Sequence, residues 1–427
     1  MALARDGPHD KSCRCSDMTG GADRPGGPSA RPVSTARDNR PPPPTVEGRG
    51  RPMTPARLLP ARLRRARTAV AALASCLLLL AAPTAAASPV AASPVASEPA
   101  PGPPPLTDGF GLTQVGTAAG SATDFVVTVT TPQVSGQHTI RILLPADYAQ
   151  HPDRRYPVLY FLHGASDNPG DPALAYPALT AAQSMITVIP DGGLRGWYTD
   201  WLDQGTAAGA QNWETFHLNQ VLPFVDANLR TRTDRAHRAV GGLSMGGFGA
   251  LHYAQDRPDL FGQVLTMSGA NDLSADEMVL RGAVVAMLTN AGTVLCGPSD
   301  GRPCGLDFGP TVSSDAIFGT PYPVFNADWR WNAADPASRL GALTHTGIAV
   351  YTGNGNGNPA DMEFWAEGTA KRVKDRLDAL KLPYHYVDYG DGTGWGADCH
   401  GGHTAGCWAQ DLVDYVPRLE AAFAAAP

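Results

Sequence analysis

The chain has 427 residues, with 33 Lys and Arg against 40 Asp and Glu and a formal net charge of −7. Residues 1–87 hold 14 of the basic groups and 6 of the acidic ones, so the remainder carries 19 against 34, a net charge of about −15. Such a surface repels phosphate backbones and anionic lipid, which excludes nucleic acid as an expected partner.

Residues 1–52 are rich in Pro, Gly, Arg and Asp and nearly free of large apolar side chains. They cannot bury enough surface to offset the entropy of ordering, and read as a disordered or untranslated extension. Met53 reads as the true start of an export signal over 53–87: basic residues from Arg57 to Arg67, an apolar run from Ala69 to Ala82, and small residues at Ala85, Ala86 and Ala87. The run falls short of the roughly 20 residues of a spanning helix, and Pro83 ends it, so cleavage after about Ala87 is expected instead of a retained anchor. Leu73-Ala74-Ser75-Cys76 looks like a lipoprotein site, but four leucines follow Cys76 inside the apolar run, and anchoring there is the less favoured reading. Arg64-Arg65 lacks the hydrophobic residues that follow a twin-arginine pair, so the export route stays open. Residues 88–107 form an Ala/Pro-rich linker, and 108–427 is the folded domain.

Within that domain, Ala122–Thr130 and Gln137–Leu144 read as strands joined by a turn at Ser135-Gly136, and Tyr156–Leu162 as a buried strand running into His163-Gly164. Met185–Ile189 is another strand, Asn212–Leu229 a helix, His237–Leu243 a strand and Gly246–Gln255 the helix after it. Val264–Ser268 and Gly347–Tyr351 are short strands, followed by a helix over 361–380, a strand at Tyr384–Tyr389 and a last helix at Trp408–Ala424. Alternation of this kind predicts an α/β fold with a mostly parallel sheet covered by helices on both faces. Residues 270–346 break the rhythm with a Gly/Pro-rich, aromatic-containing segment, read as an insertion over the carboxyl edge of the sheet.

Four of the seven cysteines fall in the domain, as Cys296 with Cys304 and Cys399 with Cys407. Each pair spans a Gly-containing loop, which suits two local disulfides in an oxidising compartment; a zinc site would want closer Cys-x-x-Cys spacing.

Gly242-Leu243-Ser244-Met245-Gly246 matches G-x-S-x-G between an apolar strand and a small-residue helix. A serine on a tight strand-to-helix turn needs neighbours without Cβ atoms, so Ser244 is the candidate nucleophile; the bland alternative is an ordinary serine in a Gly-rich loop. Its oxyanion donors would be the backbone N–H groups of Met245 and of Ala165, after His163-Gly164. The base should come last in the chain. His400 and His403 share the loop after the last strand, and His403 is preferred because Gly401-Gly402 permit close placement. For the acid, Asp361, Glu363 and Glu367 all follow the strand 347–351; position prefers Asp361, and the two glutamates also fit a solvated helix face. Asn354, Asn356 and Asn358 lack the closing glutamate of a calcium loop, and no metal or cofactor is called for.

From about 108 onward the chain resembles the secreted putative-esterase group of α/β-hydrolases, which includes esterase D-like enzymes and the mycobacterial antigen 85 mycolyltransferases. The resemblance rests on Trp197-Tyr198-Thr199-Asp200-Trp201, Trp213-Glu214-Thr215-Phe216, the Gly242–Met245 segment, Asp335-Pro336, Tyr351-Thr352-Gly353-Asn354-Gly355, and His403 with Trp408 five residues on. It implies an α/β-hydrolase fold and moves the acid to Glu367, since the family's acid is a glutamate followed by glycine and Glu367-Gly368 fits. His163-Gly164-Ala165-Ser166 and Gly246-Gly247-Phe248-Gly249 instead follow the general-esterase form, without the Asp-Gly-Leu-Arg segment of the mycolyltransferases. The expectation is a secreted, monomeric serine carboxylesterase acting on a small-molecule, lipid or glycolipid ester, with cell-envelope association open. Alternatives are an acyltransferase passing the acyl group to a sugar or glycerol hydroxyl, and a non-enzymatic cell-surface binding protein.

Overall fold

A computed structural model describes residues 102–291 and 308–427. The segments expected to be an N-terminal extension and an export signal, most of the expected linker, and the expected Cys296–Cys304 pair lie outside the described residues.

Ten strands form one sheet: β1 (Thr113–Gln114), β2 (Ala119–Gly120), β3 (Asp124–Thr130), β4 (His138–Leu143), β5 (Val158–Leu162), β6 (Ile186–Pro190), β7 (Arg238–Leu243), β8 (Gln263–Met267), β9 (Gly347–Thr352) and β10 (His385–Asp388). Their order is β1-β3-β4-β6-β5-β7-β8-β9-β10, with β2 paired to β3. Strands β1 to β4 pair antiparallel, as does β4 with β6, whereas every pair from β6 to β10 is parallel. The sequence pattern follows this division. The antiparallel strand β3 alternates buried and half-buried positions, while β5, β6 and β7 are buried at every residue, as strands covered on both faces must be.

The helices are α1 (Pro177–Thr180), α2 (Leu222–Asn228), α3 (Met245–Asp256), α4 (Met278–Leu288), α5 (Trp329–Ala334), α6 (Met362–Leu380) and α7 (Ala405–Ala425). Leu179 of α1 and Leu412, Val416, Leu419 and Phe423 of α7 pack into one apolar cluster with Leu159, Leu243 and Leu265 of the sheet. Residues of α2, α3, α4 and α6 join the cluster on the other face, around Tyr160, Val188, Val240 and Val264. Helix α3 is buried from Met245 to Gln255, which is why its first seven residues, Met245 to Leu251, are all apolar or small. The expected helix over 212–229 is present, but Thr215–Val221 is wound as a π-helix before α2 begins. The insertion supplies α4 and α5. No helix among the described residues is long and apolar enough to cross a membrane.

Candidate active site

Ser244 sits between β7 and α3 with φ 54° and ψ −120°, a left-handed backbone that a residue with a Cβ adopts at a cost of about 1–3 kcal/mol. Its N–H donates to the Met267 carbonyl of β8 at 2.9 Å, and its own carbonyl accepts from Gly247 and Phe248 at the start of α3. The turn tolerates little else. A Cβ on Gly246 would run into the Leu162 carbonyl at the end of β5, so the crossing of β5, β7 and α3 requires glycine there.

The Oγ of Ser244 lies 2.9 Å from Nε2 of His403, and Nδ1 of His403 lies 2.8 Å from Oε2 of Glu363. The carboxylate against the imidazole is therefore that of Glu363 and not that of Glu367, the residue expected there. Glu367 lies one turn further along α6, roughly 6 Å along the axis, where Oε1 accepts from Lys371 Nζ at 2.6 Å. Asp361, the third candidate, caps α6: its Oδ1 accepts the N–H of Glu363 at 2.9 Å and that of His403 at 3.1 Å. It thereby fixes both the helix start and the histidine backbone. Gly402 lets this happen, because a Cβ there would strike the Asp361 carboxylate. His400 contributes only its carbonyl, to Asn356 Nδ2.

Glu363 is fully buried, and Oε1 accepts three hydrogen bonds, from Gly353 N–H at 2.7 Å and from the Thr352 and Ser268 hydroxyls at 3.0 Å. Burying carboxylate oxygens without such donors would cost the full desolvation of unpaired polar atoms. Ser268 in turn accepts from Trp408 Nε1 at 2.9 Å, and the Trp408 ring meets the His403 ring edge-on at 5.0 Å. Ser268, Thr352 and Gly353 follow or end β8 and β9. Sequence reading did not single them out, although Thr352 and Gly353 stand in a segment that carried the family resemblance. The sulfurs of Cys399 and Cys407 are 2.07 Å apart, at bonding distance, and bracket His403.

On the other side of Ser244, Gly164 is close enough that a Cβ on it would lie 3.5 Å from the Ser244 Cβ. His163 is fully buried; its Nδ1 donates to the Gly164 carbonyl at 2.7 Å while its Nε2 accepts from Gly192 N–H at 2.8 Å. Holding that carbonyl fixes the peptide plane whose N–H belongs to Ala165. Neither Ala165 N–H nor Met245 N–H donates to another group among the described residues. Asp167 accepts from Gly164 N–H at 2.9 Å, and burial raises its carboxyl above the ordinary range against the pull of His163 and that N–H.

Beneath the elbow, His217 accepts from the Tyr253 hydroxyl at Nδ1 and donates to the Asp191 carbonyl from Nε2. Burial pushes its pKa down to about 3. Elsewhere Glu214, His252 and Asp256 bring ligand-type atoms within 4.8 Å of one another, but the Arg339 guanidinium is paired with Asp256 and contacts His252, so a cation already serves that cluster. Asn354 and Asn358 accept backbone N–H groups two residues on, as turn formers and not ion ligands.

A family model described as "Putative esterase" matches residues 131–419. An esterase of Mycobacterium tuberculosis is 38% identical over 173 residues, 40% of this chain and 37% of that protein, so the chain spans little more than a third of that relative's length. A diacylglycerol acyltransferase/mycolyltransferase of Mycobacterium leprae is 26% identical over 253 residues, covering 57% of this chain and 68% of the relative. Among solved structures, MPT51 of Mycobacterium tuberculosis superposes with a TM-score of 0.50 at 21% identity, covering 69% of this chain and 97% of that one, a likeness of fold.

Proposed function

The chain belongs to the putative esterase family, and we propose that it is an exported serine carboxylesterase whose acyl-enzyme forms on Ser244. The observation that carries this reading is the continuous line from Ser244 Oγ through the two nitrogens of His403 to the buried Glu363 carboxylate. With Nδ1–H donated to Glu363, Nε2 is left as the acceptor facing the serine hydroxyl. It takes the proton as Oγ attacks the ester carbonyl, and Glu363 stabilises the imidazolium that results. The N–H groups of Met245 and Ala165 receive the oxyanion, each worth roughly 3–4 kcal/mol to the transition state. His403 then returns the proton to the departing alcohol, and a water activated by the same nitrogen releases the acid.

Export is supported by the signal-like layout of 53–87 ahead of the linker at 88–107 and the domain at 108–427, and by the paired Cys399 and Cys407. The test is labelling with a fluorophosphonate alongside hydrolysis of p-nitrophenyl acetate. Wild type should be labelled and active and Ser244→Ala neither; folded wild type that resists the probe would return the chain to the class of cell-surface binding proteins.

The match to an acyltransferase favours a second reading, transfer of the acyl group to a sugar or glycerol hydroxyl. Product analysis with and without trehalose or diacylglycerol separates the two, since transesterified product above the hydrolysis background would displace water as the principal acceptor.

A further inference from the structure

Taking Ser244 as the nucleophile, we propose that the cavity beside it is an acyl pocket for short, apolar acyl groups, with Met287 of the insertion setting its limit. The cavity opens at Ser244 and His403 and is walled by Leu280, Ala283 and Met287 of α4, by Met362 and Ala366 of α6, and by Trp197. Its volume of about 30 Å³ is room for about two water molecules, and so for only two or three heavy atoms beyond the ester carbonyl.

Two arguments assign it to the acyl side. The alcohol must leave and water must enter during one turnover, so the alcohol side has to face solvent, whereas the acyl group stays through both steps and suits a closed end. The lining is also wrong for a hydroxyl-rich group. Ser268 Oγ, a polar atom on the wall, is already engaged by Glu363 and Trp408, and a sugar placed here would strand its hydroxyls without partners.

The wall formed by α4 is fixed, not loosely draped. Arg195, from the loop after β6, donates from Nη1 to the carbonyls of Met287 and Leu288 at 2.6 and 3.1 Å, holding the C-terminal end of the helix. At its other end the buried Arg281 pairs with Asp328 at 2.7 Å and donates to the Leu273 and Pro321 carbonyls. Leu280 is buried in the apolar cluster, and Met362 adjoins Glu363. Met287 is half-buried, lines the cavity from the last turn of α4 and takes no part in the hydrogen bonds that join Ser244, His403 and Glu363, so its truncation should enlarge the pocket while leaving those bonds in place.

The experiment is a series of p-nitrophenyl acetate, butyrate and octanoate with the full folded chain, comparing wild type, Met287→Ala and Ala283→Val. Wild type should favour acetate and butyrate over octanoate in kcat/KM by on the order of tenfold or more. Met287→Ala should raise octanoate relative to acetate by about tenfold, and Ala283→Val should depress butyrate relative to acetate. A wild type that prefers octanoate, or variants that leave these ratios unchanged, overturns the pocket assignment. Fluorophosphonate labelling of wild type separates the two readings: a labelled enzyme with a long-chain profile sinks the pocket alone, while an unlabelled, inactive one sinks the nucleophile. Should Met287→Ala not fold, Ala283→Val still decides.

Discussion

The elbow between β7 and α3 and the inserted helix α4 meet at one cavity, yet they are held there by different forces. At the elbow the backbone itself is constrained: three elements cross so closely that side chains are excluded, and the result is written in the chain as a glycine pattern. The insertion is held by long side chains reaching across irregular structure, with Arg281 bound to Asp328, Asn332 and two carbonyls, and Arg195 bound to the end of α4. The first kind of restraint sets Ser244 against His403 and leaves a short local signature. The second shapes the cavity beside Ser244, and most of its partners lie tens of residues apart.

The comparison would break first at Glu363. Glu363→Gln keeps the shape but loses the charge that orients His403, and kcat on p-nitrophenyl acetate should fall by on the order of 10³-fold or more. On the insertion side, Arg281→Met strands the Asp328 carboxylate in a buried site, and thermal or urea unfolding should show a loss of about 3–5 kcal/mol.

Acid should pull the two regions in opposite directions. His217 under the elbow is held neutral down to about pH 3, against 6.5 for a free imidazole, so the unfolded chain takes up a proton that the folded chain refuses and stability falls as pH drops through that window. Asp335, which accepts from Leu273 N–H near the start of the insertion, is raised by burial to about 6 from 3.8. There the folded chain binds the proton first, and stability rises as pH falls from about 6 to 3.8. Each contributes at most about 1.4 kcal/mol per pH unit of its shift. Melting temperatures at pH 7 and pH 4.5 should show His217→Gln less acid-labile than wild type and Asp335→Asn more so. The smallest expected change is at Glu367: with a carboxylate engaged by Lys371 at the half-exposed helix surface, Glu367→Gln should leave kcat within about twofold, and a large loss there would contradict the geometry around His403.

Much of the sheet was legible because its strands are short apolar runs of recognisable period, and the elbow because its sterics demand glycine at fixed offsets. The choice among Asp361, Glu363 and Glu367 was not. All three sit within seven residues around the start of α6, and which turn of the helix meets His403 depends on where the loop 399–407 lands, a tertiary fact that helical period does not carry. The resemblance to the mycolyltransferases pointed to Glu367 through a glutamate-glycine dipeptide, yet Gly368 is exposed and a Cβ there would meet nothing. Ser268, Thr352 and Gly353 escaped notice for a related reason. They converge on Glu363 from the ends of β8 and β9, neighbours only after the strand order is known.

The positive φ at Ser244 bears on how such a sequence persists. Glycine enters that conformation without the strain of about 1–3 kcal/mol a serine carries there, against about 0.5–1 kcal/mol for the extra freedom it brings to the unfolded chain. Ser244→Gly should therefore match or exceed wild type in melting temperature. A population of variants screened for heat survival alone would drift away from serine at this position, whereas one screened for turnover would hold it. Serine at position 244 is thus a residue that folding alone would not choose.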